Sequence, residues 1–349
     1  MIRFFDAHCD TLRKVAEKEV NFITGEGKAH VTLPSMLKAG SCVQVFACWV
    51  FSENYPGKER ERAELLIETA EKTFAESLGR LHIARTAEEI HRACQGEGTA
   101  ALLALEGADP LEGKAENLAY FKELGVLELI IAWGDNVFAG TVFGSGSGLT
   151  GEGAKLIEIA EALGIVLDVS HLSDRAFEGF CEVAKRPFVA SHSNCRALCP
   201  SPRNLTDDMI RRIAERGGAI GINLSSGFLS PEFHAEESVL MKRFLAAPKE
   251  DTDKFNQALE ECENKIARLV RPPMHFIADH VRHLIQTGGE DCAGLGGDLD
   301  GVASLPDGIE GIASYPAVAD LLLQSGLTTA QVEKVCWKNF ERVFCEIIA

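Results

Sequence analysis

Short apolar, β-branched runs recur along the chain, and longer stretches with helical spacing separate most of them. Eight runs stand out: Ile2 to His8, Cys42 to Val50, Thr99 to Leu105, Val126 to Trp133, Ile165 to Val169, Phe188 to Ser191, Ala219 to Leu224 and Cys292 to Gly297. Several are entered through turn formers, namely Gly125, Gly164, Pro187 and the Gly217-Gly218 pair. The intervening stretches include Arg60 to Leu78, Gly153 to Leu163, Ser173 to Ala184 and Thr206 to Arg216. In the second of these, Leu156, Ile159, Ala160 and Leu163 fall at i, i+3, i+4 and i+7, which is one helix face. Ser173 and Thr206 read as helix N-caps, and Asp207 and Asp208 occupy the first turn after the latter. Eight strands alternating with helices predict an α/β protein with a parallel sheet. Eight is also the number that closes a TIM-type (β/α)8 barrel.

Two stretches depart from the alternation. Phe138 to Gly153 is rich in Gly, Ser and Thr and predicts a long loop after the fourth strand. Ser230 to Arg271 is charged and follows the seventh strand; it predicts a helical insertion, with helices around Val239 to Leu245 and Lys254 to Val270. Patterns near Ala317 to Gln324 and Thr329 to Ile347 predict the helices that close the wall. The chain's 349 residues are normal for one catalytic barrel domain, spanning 1–349, with 230–271 inserted into it.

Composition narrows the partners. Hydrophobic residues make up 46% of the chain, enough for a large core, and the formal net charge is −17. An acidic surface argues against nucleic acid or anionic membrane as the main partner, since both require clustered Lys and Arg. No segment approaches the roughly 20 apolar residues of a membrane span. The N-terminal apolar stretch is too short for a secretory signal, and the C-terminus offers no lipid-anchor signal. Eleven cysteines are scattered without framework spacing, which suits a reducing compartment. The expectation is a cytoplasmic protein, for which a homodimer would be unsurprising.

The chemistry gathers where the strands end. Asp6, His8 and Asp10 close the first strand, and the two-residue period lets His8 and Asp10 share a face. Glu106 ends the third strand, His171 the fifth and His192 the sixth, while Asp298 and Asp300 end the eighth. In a TIM barrel these ends converge on one mouth. Several carboxylates buried together need cations to neutralise them. Imidazole beside carboxylate favours zinc or a similar transition ion. The donors suffice for two metals if one carboxylate bridges, and two metals about 3.5–4 Å apart can activate water and polarise a carbonyl. The remaining histidines (His30, His82, His91, His234, His275, His280 and His283) fall on predicted helices or polar loops and read as structural.

Three stretches carry a resemblance: Asp168-Val169-Ser170-His171-Leu172-Ser173, then Ser191-His192-Ser193 through Pro202-Arg203-Asn204, and Gly297-Asp298-Leu299-Asp300-Gly301. With Asp6-Ala7-His8-Cys9-Asp10, they make the chain similar over nearly its whole length to a bacterial-type member of the renal (membrane) dipeptidase family of zinc metallopeptidases. The resemblance implies two Zn2+ per chain, one held by His8 and Asp10, the other by His171 and His192, with Glu106 bridging. It also implies Asp298 as proton shuttle and Arg203 as the clamp for a substrate carboxylate. Arg suits that role because its planar fork binds carboxylate in a bidentate way. The implied activity is hydrolysis of dipeptides, including those with a D-residue second, by a dizinc-activated water.

Mammalian members carry a His after the fourth strand, where this chain has Trp133, so the departure bears on substrate preference. Asn136 and Asn223 are further candidates for substrate contact, although Asn at a strand end is equally a turn former. Two alternatives remain. One is a related amidohydrolase such as an N-acyl-amino-acid deacylase. Related barrels often bridge their metals with a modified Lys, but no Lys ends a predicted strand here. The other is a catalytically inactive barrel that binds a ligand.

Overall fold

Residues 2–245 and 252–348 are described in the structure, a computed structural model. Eight parallel strands form the barrel: β1 (Phe4–Cys9), β2 (Ser41–Trp49), β3 (Ala100–Glu106), β4 (Val126–Ile130), β5 (Val166–Asp168), β6 (Val189–Ala190), β7 (Ala219–Ile222) and β8 (Ala293–Leu295). Each pairs with the next, and β8 returns to β1 at Leu295↔Asp6, so the sheet closes on itself. The longest ladder joins β2 to β3, from Val43↔Ala100 to Trp49↔Glu106. This is the TIM-type (β/α)8 barrel that the apolar periodicity predicts.

The strands are the expected eight, but several are shorter. β4 ends at Ile130 and not at Trp133, and β6 keeps only two paired residues. The apolar run continues past the ladder, where the chain bends or turns, so sequence pattern alone overruns the hydrogen bonding. A short strand at His82–Ile83, which pairs with the start of β3, and a hairpin of Val20–Asn21 with Glu26–Gly27 have no counterpart among the expected elements.

β1 shows how the sequence fills both sides of the wall. Phe5 packs outward on Phe340 and Phe344 of the closing helix Asn339–Ile348, with ring centroids 5.7 and 5.2 Å apart. One residue along, Asp6 and then His8 turn into the barrel, and both are fully buried. The closing stretch is not one helix. A π turn at Lys334–Lys338 separates Thr329–Glu333 from Asn339–Ile348. The expected N-caps are present, with Ser173 accepting from the Ala176 amide and Thr206 from that of Met209.

The insertion after β7 contains helices Pro231–Leu245 and Thr252–Ile266. The first begins eight residues before the expected start at Val239, because Pro231 suits the first turn and Ser230 Oγ accepts from the Phe233 amide. Part of the insertion, 246–251, lies outside the described residues. No described helix is long and apolar enough to cross a membrane.

Candidate metal centre and active site

The strand ends bring six predicted donors together. Glu106, 3% exposed, turns one oxygen to each side. Its Oε2 lies 3.3 Å from His8 Nε2, which in turn lies 3.6 Å from Asp10 Oδ2. Its Oε1 lies 3.3 Å from His171 Nε2 and 3.9 Å from His192 Nε2. The two Nε2 atoms of His171 and His192 face each other at 2.9 Å. Two sets, His8–Glu106–His192 and His8–Asp10–Asp298, each have their donor atoms within 4.8 Å of one another. Both nitrogens of His8, Oδ1 of Asp10 and Oε2 of Glu106 are buried without any hydrogen-bond partner. Orphaned lone pairs of imidazole and carboxylate aimed at a common space fit divalent cations, which would compensate their burial.

Charge reinforces that fit. Burial, followed by the repulsion of Asp10, pushes the Glu106 carboxyl up to about 8. Burial likewise raises Asp298 to about 6. Burial also drives His171 and His192 well below the ordinary histidine range, helped by nearby positive charge from Arg203 and His8. Both rings are therefore neutral, the form that donates a lone pair to a metal. For His8, burial opposes protonation, but Glu106 and Asp10 outweigh it and lift the ring well above its usual value.

A supporting layer, only partly foreseen, holds these donors. Asp6, the first acid of the β1 motif, is no donor to the cluster. It accepts from the His8 and Gly297 amides, Gln44 Nε2 and the Tyr315 hydroxyl, so it ties β1 to β2, β8 and the helix Tyr315–Gln324. Asp168 accepts from the Ser170 and Ser191 amides and from Ser191 Oγ, and Ser191 Oγ lies 2.6 Å from His192 Nδ1. With Ser191 donating to Asp168, His192 donates through Nδ1, which leaves Nε2 as the free lone pair. Asp300 is spent on Thr11, Lys14 and the His30 amide, which removes it as an alternative acid.

The backbone is bent to suit the site. His171, Asp298 and Asp300 have φ of 71°, 54° and 70°, a left-handed conformation costing about 1–2 kcal/mol each. Gly301 is required by close approach, because a Cβ there would collide with Asp10 Oδ2 and Asp298 Oδ1.

The predicted substrate residues divide. Arg203 is 3% exposed and donates from Nη1 to Ser193 Oγ at 2.7 Å and from Nη2 to the His192 carbonyl at 3.0 Å. It pairs with neither Asp207 nor Asp208, which are taken by His283 and Arg212. The neighbouring Arg196 braces the loop instead, by a bidentate pair with Asp174. Trp133 stands beside the cluster, its ring 6.3 Å from that of His171. Asn223 reaches the site but spends its amide on Asp298 Oδ2 at 2.8 Å and its Oδ1 on the Ser225 amide. Asn136 does not reach it. Its side chain bonds the Ile131 carbonyl and the Phe138 and Ala139 amides, as a turn former does.

A barrel mouth with three imidazoles converging on three carboxylates places the protein in the class of barrel-built metal-dependent hydrolases. The sequence model of "Membrane dipeptidase (Peptidase family M19)" matches residues 1–348. The chain belongs to this family and is a metallo-dipeptidase, a hydrolase. It is 33% identical over 278 residues to a Klebsiella pneumoniae protein described as "Uncharacterized protein in pqqA 5'region", covering 77% of this chain and 90% of that one. It is 26% identical over 306 residues to Dipeptidase 3 of Macaca fascicularis, covering 85% of this chain and 54% of the relative, so it spans about half of that protein's length. Among solved structures, a Rhodobacter sphaeroides metallopeptidase liganded with a phosphinate mimic of the dipeptide L-Ala-D-Ala superposes with a TM-score of 0.83. The two are 26% identical, and the match covers 100% of this chain and 99% of that one.

Proposed function

We propose that the protein is a dizinc dipeptidase that grips the free carboxylate of its substrate with Arg203. Its catalytic unit is a single barrel domain, with 230–271 as an insertion. One observation carries the carboxylate grip: among the described residues no carboxylate pairs with the buried Arg203, and its Nε has no partner. An unpaired buried guanidinium is costly, and a bound anion offsets that cost. A deacylase acting on N-acyl amino acids would present the same carboxylate, but the Rhodobacter relative's dipeptide mimic favours dipeptides, including those with a D-residue second.

The donor geometry supports His8 and Asp10 as ligands of one zinc, His171 and His192 of the other, and Glu106 between them. When bound, the two ions supply acidification of water toward neutral pH and polarisation of the scissile carbonyl. Asn223 fixes Asp298 through Oδ2, which leaves Oδ1 to accept the proton of the attacking water. Asp298 then delivers that proton to the departing amide nitrogen as the C–N bond breaks. Arg203 sets the register, which limits cleavage to peptides whose carboxylate lies one residue beyond the scissile bond. Eleven unpaired cysteines support a reducing compartment, the cytoplasm.

Arg203→Met tests the grip. kcat/KM for free dipeptides should fall roughly 10²-fold, since a charge-assisted contact contributes about 1.5–3 kcal/mol. C-terminally amidated dipeptides should already be poor for the wild type and lose little more. Equal turnover of free and amidated dipeptides by the wild type rules the clamp out. Ser191→Ala tests the layer behind the ligands. Metal affinity measured by chelator competition should weaken roughly 10–100-fold with the melting temperature nearly kept. Unchanged affinity would mean that the Asp168–Ser191–His192 relay does not orient the ring.

A further inference from the structure

The mouth is polar on one side and aromatic on the other. Trp49 ends β2 and Trp133 follows β4, and their rings meet edge to face at 5.1 Å. Phe51 stacks on Trp49 at 5.5 Å and meets Trp133 at 5.8 Å. The insertion stands behind them: Phe233 of the helix Pro231–Leu245 and Ile266 of the helix Thr252–Ile266 join the same apolar cluster, which is separate from the barrel core. Trp49 and Trp133 are only partly buried, so aromatic surface stays uncovered within ring-contact range of His171.

Topology relates this wall to Arg203. In a ring of eight strands the end of β2 lies opposite the end of β6, and the loop after β6 carries Arg203. A line from Arg203 to Trp49 therefore crosses the donors contributed by β1, β3, β5 and β6. A dipeptide with its carboxylate at Arg203 and its scissile carbonyl over those donors has only its N-terminal residue left to reach the far rim.

We propose that Trp49, Phe51 and Trp133 form the subsite for the side chain of the substrate's N-terminal residue, so that the enzyme selects dipeptides with a bulky apolar or aromatic residue there. This rests on the carboxylate-clamp reading of Arg203. An apolar side chain covers aromatic surface that otherwise faces water. A charged one would lose hydration against the rings. The insertion thus has a role in specificity, because it holds the outer face of the wall.

The test is a series of Xaa-Ala dipeptides with Gly, Asp, Leu or Phe first, assayed on metal-loaded protein. Leu and Phe should exceed Gly and Asp in kcat/KM by roughly 10–200-fold, the range over which an apolar pocket discriminates. Trp133→Ala and, separately, Trp49→Ala should each cut the Phe-to-Gly ratio by about tenfold. An Ala-Xaa series varied at the second position should keep its order. Cleavage of dipeptides with a flat or Asp-preferring first series, or a Phe-to-Gly ratio that survives both substitutions, overturns the subsite and leaves the clamp standing. Failure to cleave any free dipeptide removes the clamp and this assignment with it. The wild-type series needs no variant to fold.

Discussion

Asp298→Asn should leave fold and metal content intact and lower turnover roughly 10²- to 10⁴-fold, the range expected for a lost general acid–base. The substitution is nearly isosteric, and Asn223 can still donate to the remaining oxygen, so packing should hold. What disappears is a carboxylate that can carry a proton between water and the departing nitrogen. The pH profile gives a second readout. Burial raises Asp298 to about 6, and the group works in its ionised form, so kcat/KM should rise with pH through that pKa. Cations bound beside it favour the ionised form, which places the acid limb at or below about pH 6. The limb should vanish in the variant. Asp298 also lies within donor range of His8 and Asp10. Loss of a metal ion in the Asn variant would therefore make it a ligand, and the proton would have to travel elsewhere. A fall in turnover of only a few-fold would equally remove it from the mechanism.

The barrel was legible because its signal is periodic and repeated: eight apolar runs, several entered through turn formers, leave little choice of architecture. The convergence of the candidate donors was legible for the same reason, since strand ends of a closed barrel share one mouth. What the pattern could not convey was which acids face outward from the cluster. Asp6 and Asp10 flank His8 symmetrically in sequence. Yet Asp6 is held by four donors, two of them on β2 and the helix Tyr315–Gln324, while Asp10 turns to the cavity. Asn136 and Asn223 are equally ambiguous at strand ends, and only the fold shows that one braces a loop and the other orients an acid. Ser191 gave no signal beyond its place before His192. Of the aromatic wall only Trp133 stood out in the sequence, because the wall joins it to Trp49 and the insertion across long sequence separations, which periodicity within a single element does not report.

Glu106→Gln should weaken binding of at least one metal by about 3–5 kcal/mol, roughly 10²- to 10⁴-fold in affinity, because it strips one side of a buried charge arrangement. The argument lies in the two oxygens. Oε2 faces His8 and Oε1 faces both His171 and His192, so a single carboxylate serves both halves of the cluster. An amide keeps one acceptor oxygen and turns an NH2 toward the other half, where it repels a cation. The metal-free protein should respond in the opposite direction. With no cation, burial and Asp10 hold the Glu106 carboxyl at about 8, so forcing it to ionise at alkaline pH costs stability. Its folded pKa is raised above the unfolded value, and that destabilisation therefore grows as pH rises from the unfolded pKa, near 4, toward 8. Gln cannot ionise and escapes the cost. Metal-free Glu106→Gln should thus unfold at a higher denaturant concentration than metal-free wild type at pH 8, with the difference shrinking toward pH 5. In metal-replete buffer the order should reverse, with the wild type more stable. Elemental analysis showing two tightly held ions in the Gln variant, together with wild-type turnover, would remove Glu106 from the bridging position.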